Sequence, residues 1–179
     1  MAVQLKLDND KIVQFRKTAV QVLKEAKCLL APVDIEKVAA YLGARVLYGP
    51  YEGDALAGML IRQPNAITIA VNSSHHKNRQ RFTIAHECSH LLLHKDSNYF
   101  IDKGFSIFRR DALSATASDQ KEIEANQLAA ELLMPAVLLM REVRQIDLDL
   151  EDDEQIKQLA KKYAVSAQAM AYRIANVFM

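Results

Sequence analysis

Only two cysteines, Cys28 and Cys88, occur among the 179 residues. That excludes a disulfide framework and points to a reducing, cytoplasmic compartment. Neither sign of charge is in surplus: 23 lysines and arginines against 22 acids leave a formal net charge of +1. A broad nucleic-acid footprint is therefore excluded, although a local basic patch is not. Long hydrophobic runs are also missing. The nearest, "LLMPAVLLM" at 132–140, contains Pro135 and is far too short to cross a bilayer. The opening "MAVQLKLDND" has no apolar stretch of signal-peptide length, so neither secretion nor membrane insertion is expected. There is no repeat and no low-complexity segment. What remains is half hydrophobic and a quarter charged, the composition of a soluble globular chain.

Helical spacing appears first. Ile12, Phe15, Ala19, Val22, Leu23 and Ala26 recur at three and four residues. "PVDIEKVAAYLG" reads as a second, short helix, with Pro32 near its start and Gly43 at its C-terminal cap. "ARVLY", "ALAGMLI" and "AITIAV" are short apolar runs separated by turn chemistry, which predicts a small antiparallel three-stranded sheet. Asn72, Ser73 and Ser74 offer caps for a following helix. The stretch 95–118 lacks periodicity and is expected to be a mobile loop. Asp119 is placed to cap a helix running to about Leu133, closed by Pro135. Two or three short helices complete an α+β fold that is mostly helical. The expected division is 1–145 as the main domain, with 146–179 as a helical extension packed on it.

Three of the five histidines stand four apart in "RFTIAHECSHLLLH", residues 81–94. On a helix, Ile84, Ala85, Cys88, Leu91 and Leu92 gather on one side. His86, Glu87, His90 and His94 gather on the other. Lys and Arg, the usual solvating residues, are absent there until Lys95. Histidines at i and i+4 lie one above the other, so His86 and His90 can converge on one tetrahedral ion. Glu87 is turned by about 100°, beside such an ion rather than on it, where it can take a proton from water. The competing reading is a solvent-facing helix that happens to be rich in histidine.

A catalytic zinc has three protein ligands and one open position. The extended pattern with a glycine turn and a third histidine fails, because Leu93 and Asp96 stand at those positions. His94 would have to reach along the helix axis and reads as a pocket-lining residue. A carboxylate from "DQKEIEANQLAAELLMP" is the alternative. Ala125, Leu128, Ala129, Leu132 and Leu133 form the inward face of that helix. Glu122 projects onto it, and Glu124 and Glu131 project to its edge. An inward carboxylate needs a partner, and a metal ion is one. A first-turn acid that complements the helix dipole is the plainer explanation of Glu122. Asn126, one turn on, is placed to orient a ligand histidine.

At this point the chain resembles the ImmA/IrrE metallo-endopeptidases. "PVDIEKVAAYLGARV", "ITIAVN", "RQRFTIAHECSHLLLH", "EIEANQLAAELLMP" and "LAKKYAVSAQAMAYRI" carry the resemblance over most of the sequence. It implies a zincin-like fold and zinc bound by His86, His90 and Glu122. It also implies Glu87 as the base, with Asn126 behind the ligands. Cys88-Ser89 departs from the family's usual apolar residue and glycine, and Leu128 from its usual phenylalanine. Neither position bears on the chemistry, and Cys88 reads as a core thiol. The implied substrate is a specific regulatory protein, such as a helix-turn-helix repressor of a mobile element or of a stress or toxin–antitoxin system. Tyr99 and His94 are candidates for stabilising an oxyanion. An extended substrate is expected to pair with the edge of "AITIAV" or "ALAGMLI".

Two readings compete with the peptidase. One is a zinc-binding regulator without turnover, docked on its repressor partner; an intact Glu87 argues for catalysis, since metal binding does not require it. The other is DNA binding through "IKQLAKKYAVSAQAMAYRIANVF", which has a helix-turn-helix pattern with Ala160 at the helix contact, Ser166 as cap and Met170 and Ile174 as core. Its reading groups are few: Gln168, Tyr172 and Arg173 for bases, Lys161 and Lys162 for phosphates. Packing is the favoured role. The basic stretch "HHKNRQR" (75–81) and the acidic run "DLDLEDDEQ" (147–155) read as solvated turns and caps.

Overall fold

The computed structural model describes residues 8–51, 56–94, 99–102, 117–146 and 152–178. Seven helices and four strands occur among them. The first half runs α1 (Asn9–Glu25), α2 (Ile35–Tyr41), β1 (Ala44–Gly49), β2 (Gly58–Gln63), β3 (Ala66–Asn72) and α3 (Lys77–Leu93). The second half runs β4 (Tyr99–Asp102), α4 (Ala117–Leu133), α5 (Ala136–Ile146), α6 (Asp153–Tyr163) and α7 (Ala167–Phe178). The α+β class and the predominance of helix are as the sequence predicts.

Phe15, Ala19, Val22 and Leu23 bury one face of α1. Asp34 caps α2 by accepting from Lys37 N at 3.0 Å. Gly43 follows at φ +78°, a left-handed conformation that an L side chain seldom adopts.

The sheet corrects the sequence reading. Its order is β1-β3-β2-β4, with β1 parallel to β3 and the other two pairings antiparallel. Three apolar runs divided by turns fix where strands lie, but not which two become neighbours. Here β2 pairs on one side of β3 and leaves the other side to β1. The fourth strand lies inside the stretch expected to be a loop, and four residues are too few to show periodicity. The rest of that stretch, up to the start of α4, lies outside the described residues. Both strands proposed to receive substrate are interior: β3 is flanked by β1 and β2, and β2 by β3 and β4.

β2 lies close against α3. A Cβ on Gly58 would stand 2.2 Å from Thr83 Cγ2 and 2.8 Å from the Ala70 carbonyl oxygen. Only a glycine lets the strand come this near. Helix α3 is capped by His76, whose Nδ1 accepts from Asn78 N at 3.2 Å, and not by the residues at 72–74. Asn72 is used to close the strand end instead. Its Oδ1 accepts from Ser74 N at 3.0 Å, and its Nδ2 donates to Leu56 O at 3.0 Å. Helix α4 begins at Ala117, so Asp119 is its third residue.

Ala125, Leu128, Ala129, Leu132 and Leu133 are all fully buried, the inward face of α4 read from the sequence. One hydrophobic cluster joins residues of α1 to α4 with Tyr163, Val165, Met170 and Ile174 of the last helical pair. Ser166 caps α7 by accepting from Ala169 N at 3.1 Å. Arg173 does not face outward as a base-reading group. It is buried, with Nη2 at 2.5 Å from Glu131 Oε2 and Nε donating to Met134 O at 3.0 Å. Lys162 pairs with Glu142.

Candidate metal centre

Helix α3 is buried on every side from Phe82 to His90, including Thr83, His86, Glu87, Ser89 and His90. Its polar side therefore does not face solvent, as an ordinary amphipathic helix would. It faces α4. Buried imidazoles need partners, and α4 supplies them to His86 and His90.

His86 Nε2 and His90 Nε2 stand 2.9 Å apart. Glu122 reaches in from α4, with Oε2 at 3.1 Å from His86 Nε2 and Oε1 at 3.3 Å from His90 Nε2. His86 Nδ1 is 2.8 Å from Asn126 Oδ1. An amide oxygen only accepts, so Nδ1 carries the proton and the Nε2 lone pair points at the cluster. A lone pair facing an ionised carboxylate at 3.1 Å is repulsive unless a proton or a metal cation lies between them. A tetrahedral ion with bonds of about 2.0–2.1 Å has ligand–ligand edges of about 3.3 Å. The separation of the two nitrogens and the two carboxylate contacts, each to a different oxygen of Glu122, lie within about 0.4 Å of that edge. Among the described residues, this is the one group of three such side chains arranged to hold a metal ion. The histidines are buried, whereas the Glu122 side chain is 41% exposed, so the cluster opens to solvent on the glutamate side.

The titration behaviour suits ligation. Burial, helped by the neighbouring His86, pushes the His90 imidazolium pKa down, against the opposing pull of Glu122. His90 is therefore neutral at physiological pH, the form that binds a metal. Burial acts to raise the Glu122 pKa, but its hydrogen bonds to His86 and His90 outweigh this and hold the carboxyl well below the usual range. Burial pushes the Cys88 thiol far up, so this sulfur is an inert core group and not a ligand.

The two rejected carboxylates have other partners. Glu124 Oε1 accepts from Lys11 Nζ at 2.7 Å and from Gln120 Nε2 at 3.0 Å. Glu131 sits between Arg16 at 3.4 Å and Arg173 at 2.5 Å, and accepts from Ala136 N at 3.4 Å. Lys11, Arg16 and Arg62 escaped the sequence reading. Arg62 donates from Nη2 to the His90 carbonyl at 3.2 Å. Nothing in their spacing links them to residues 28 to 115 positions away. Glu87, next in sequence to His86, is fully buried. His94 ends α3 and lies against α4. The side chain of Tyr99 lies outside the described part of the structure.

Residues 39–175 match the model of the family Peptidase_M78, described as the IrrE N-terminal-like domain. The match runs from within α2 to within α7 and includes the whole cluster. Comparison with curated proteins gave no match. Among the described residues, no single helix is long and apolar enough to cross a membrane.

Proposed function

The chain belongs to the Peptidase_M78, IrrE N-terminal-like family, and from that premise we propose that it is a cytoplasmic zinc-dependent endopeptidase. The observation that carries the reading is the His86–His90–Glu122 cluster, with ligand atoms at tetrahedral spacing and Glu87 in the same helical turn. His86, His90 and Glu122 would hold the ion, and bound zinc would supply Lewis acidity towards water and the scissile carbonyl. Glu87 takes the proton of the attacking water and delivers it to the leaving amine. Asn126 keeps His86 in the tautomer whose Nε2 is free to ligate.

The substrate is a folded regulatory protein, a helix-turn-helix repressor, with an extended segment presented to the cleft. β1 and β4 are the two edges of the sheet among the described strands, and β4 is the edge we assign to pairing with that segment. This reading is tested by incubating purified protein with candidate repressors and resolving fragments by mass spectrometry. Cleavage by the wild type that is lost in Glu87→Gln and on chelation supports it. Tight repressor binding without cleavage, unchanged in Glu87→Gln, would instead make the protein a zinc-dependent regulator.

A further inference from the structure

Two of the three cluster residues come from one helix, so their mutual spacing is set by the helix itself. The third arrives on a different element and near its start: Glu122 is the sixth residue of α4. The first turns of α4 must therefore be held against α3 by something other than the helix. Three contacts are available there. Lys11 from α1 holds Glu124. Asn126 holds His86. The third joins the end of one ligand helix directly to the start of the other: His94 Nε2 lies 3.3 Å from the Lys121 carbonyl oxygen.

A carbonyl accepts, so His94 donates its Nε2–H. The Lys121 carbonyl belongs to the peptide plane that leads into Glu122. Fixing that plane fixes the direction in which the Glu122 side chain leaves the backbone. The His94 ring also lies 5.3 Å from that of His90, tilted by 48°, so it braces a second ligand from the side away from His86.

We propose that His94 is a positioning residue for the third ligand. It is a strut between α3 and α4 that sets the reach from Glu122 to His86 and His90, and it contacts neither substrate nor metal. The inference rests on the metal-site reading above.

The test compares zinc affinity of the full chain, by competition with a chromophoric chelator, for the wild type, His94→Ala, His94→Gln and Glu122→Ala. Circular dichroism of each variant checks the fold. A glutamine amide places an N–H donor close to where Nε2 lies, so it preserves the strut. Loss of a partner hydrogen-bonded to a ligand lowers metal affinity by about 10–100-fold. His94 acts through the backbone beside the ligand, so a loss near the lower end, about 10-fold, is the measure here. We expect that loss in His94→Ala and recovery of most of it in His94→Gln. Equal weakening in both variants would overturn the proposal, because the hydrogen bond would then not matter. Wild-type zinc affinity in His94→Ala, with repressor cleavage alone reduced, would also overturn it and make His94 a substrate contact. Unchanged zinc affinity in Glu122→Ala would defeat the metal-site reading itself, a distinct result.

Discussion

At the scale of the residue, the cluster depends on which nitrogen of each imidazole carries a proton. Asn126 decides this for His86. Asn126→Ala removes the acceptor and frees the ring to turn or change tautomer. Zinc affinity is expected to drop by about 10–100-fold, with the circular dichroism unchanged, as read by chelator competition. Acid acts on the same atoms. Both His90 and Glu122 have lowered pKa values in the fold. At these two groups the folded metal-free protein therefore binds fewer protons than the unfolded chain. Their contribution to stability is greatest above the ordinary histidine range and falls as pH drops through about 6.5. It falls again as pH drops below the ordinary carboxylate value of about 4.3. Metal retention follows the same direction, because protonated ligands do not bind. Urea midpoints measured from pH 8 to pH 4 without metal should decrease throughout. A midpoint that rises on acidification would contradict these shifts.

At the scale of the element, the site is a contact between α3 and α4, and two features hold those helices in place. Gly58 lets β2 press on α3 at Thr83. Gly58→Ala meets a backbone oxygen as well as a side chain, so one element must shift. A loss of about 1–3 kcal/mol is expected, read from chemical denaturation. Farther along α4, Glu131 and Arg173 form a buried pair that fastens α7 to the end of that helix. Arg173→Met leaves the Glu131 charge buried with only the more distant, partly exposed Arg16. It should cost about 3–5 kcal/mol. The double variant Glu131→Leu, Arg173→Met should recover much of that, because no orphan charge remains. If the double variant is no more stable than Arg173→Met, the burial argument is wrong.

The same elements show what the sequence could and could not convey. The inward face of α4 and the two-sided pattern of α3 follow from periodicity, and periodicity is local. Glu122 was legible because it sits on an otherwise apolar face. The direction of β1 against β3 was not, because it depends on which strand fills the space between distant segments. Arg173 illustrates the opposite failure. Its place on an apparent recognition helix suggests an exposed reading group. The carboxylate that draws it inward lies 42 positions away, and no local pattern records such a pairing.

At the scale of the whole molecule, the fold brings His86 and His90 of one helix together with Glu122 of another and ties both helices to one core. Residues of α1, the sheet, α3, α4 and the C-terminal pair share a single hydrophobic cluster. The last two helices thus share the core on which α3 and α4 pack. The most direct test of the account is the metal content of the purified protein, measured by elemental analysis beside Glu87→Gln and Glu122→Ala. The account predicts close to one zinc per chain in the wild type and in Glu87→Gln, and much less in Glu122→Ala. Absence of zinc from all three after reconstitution, or equal zinc in all three, would contradict it.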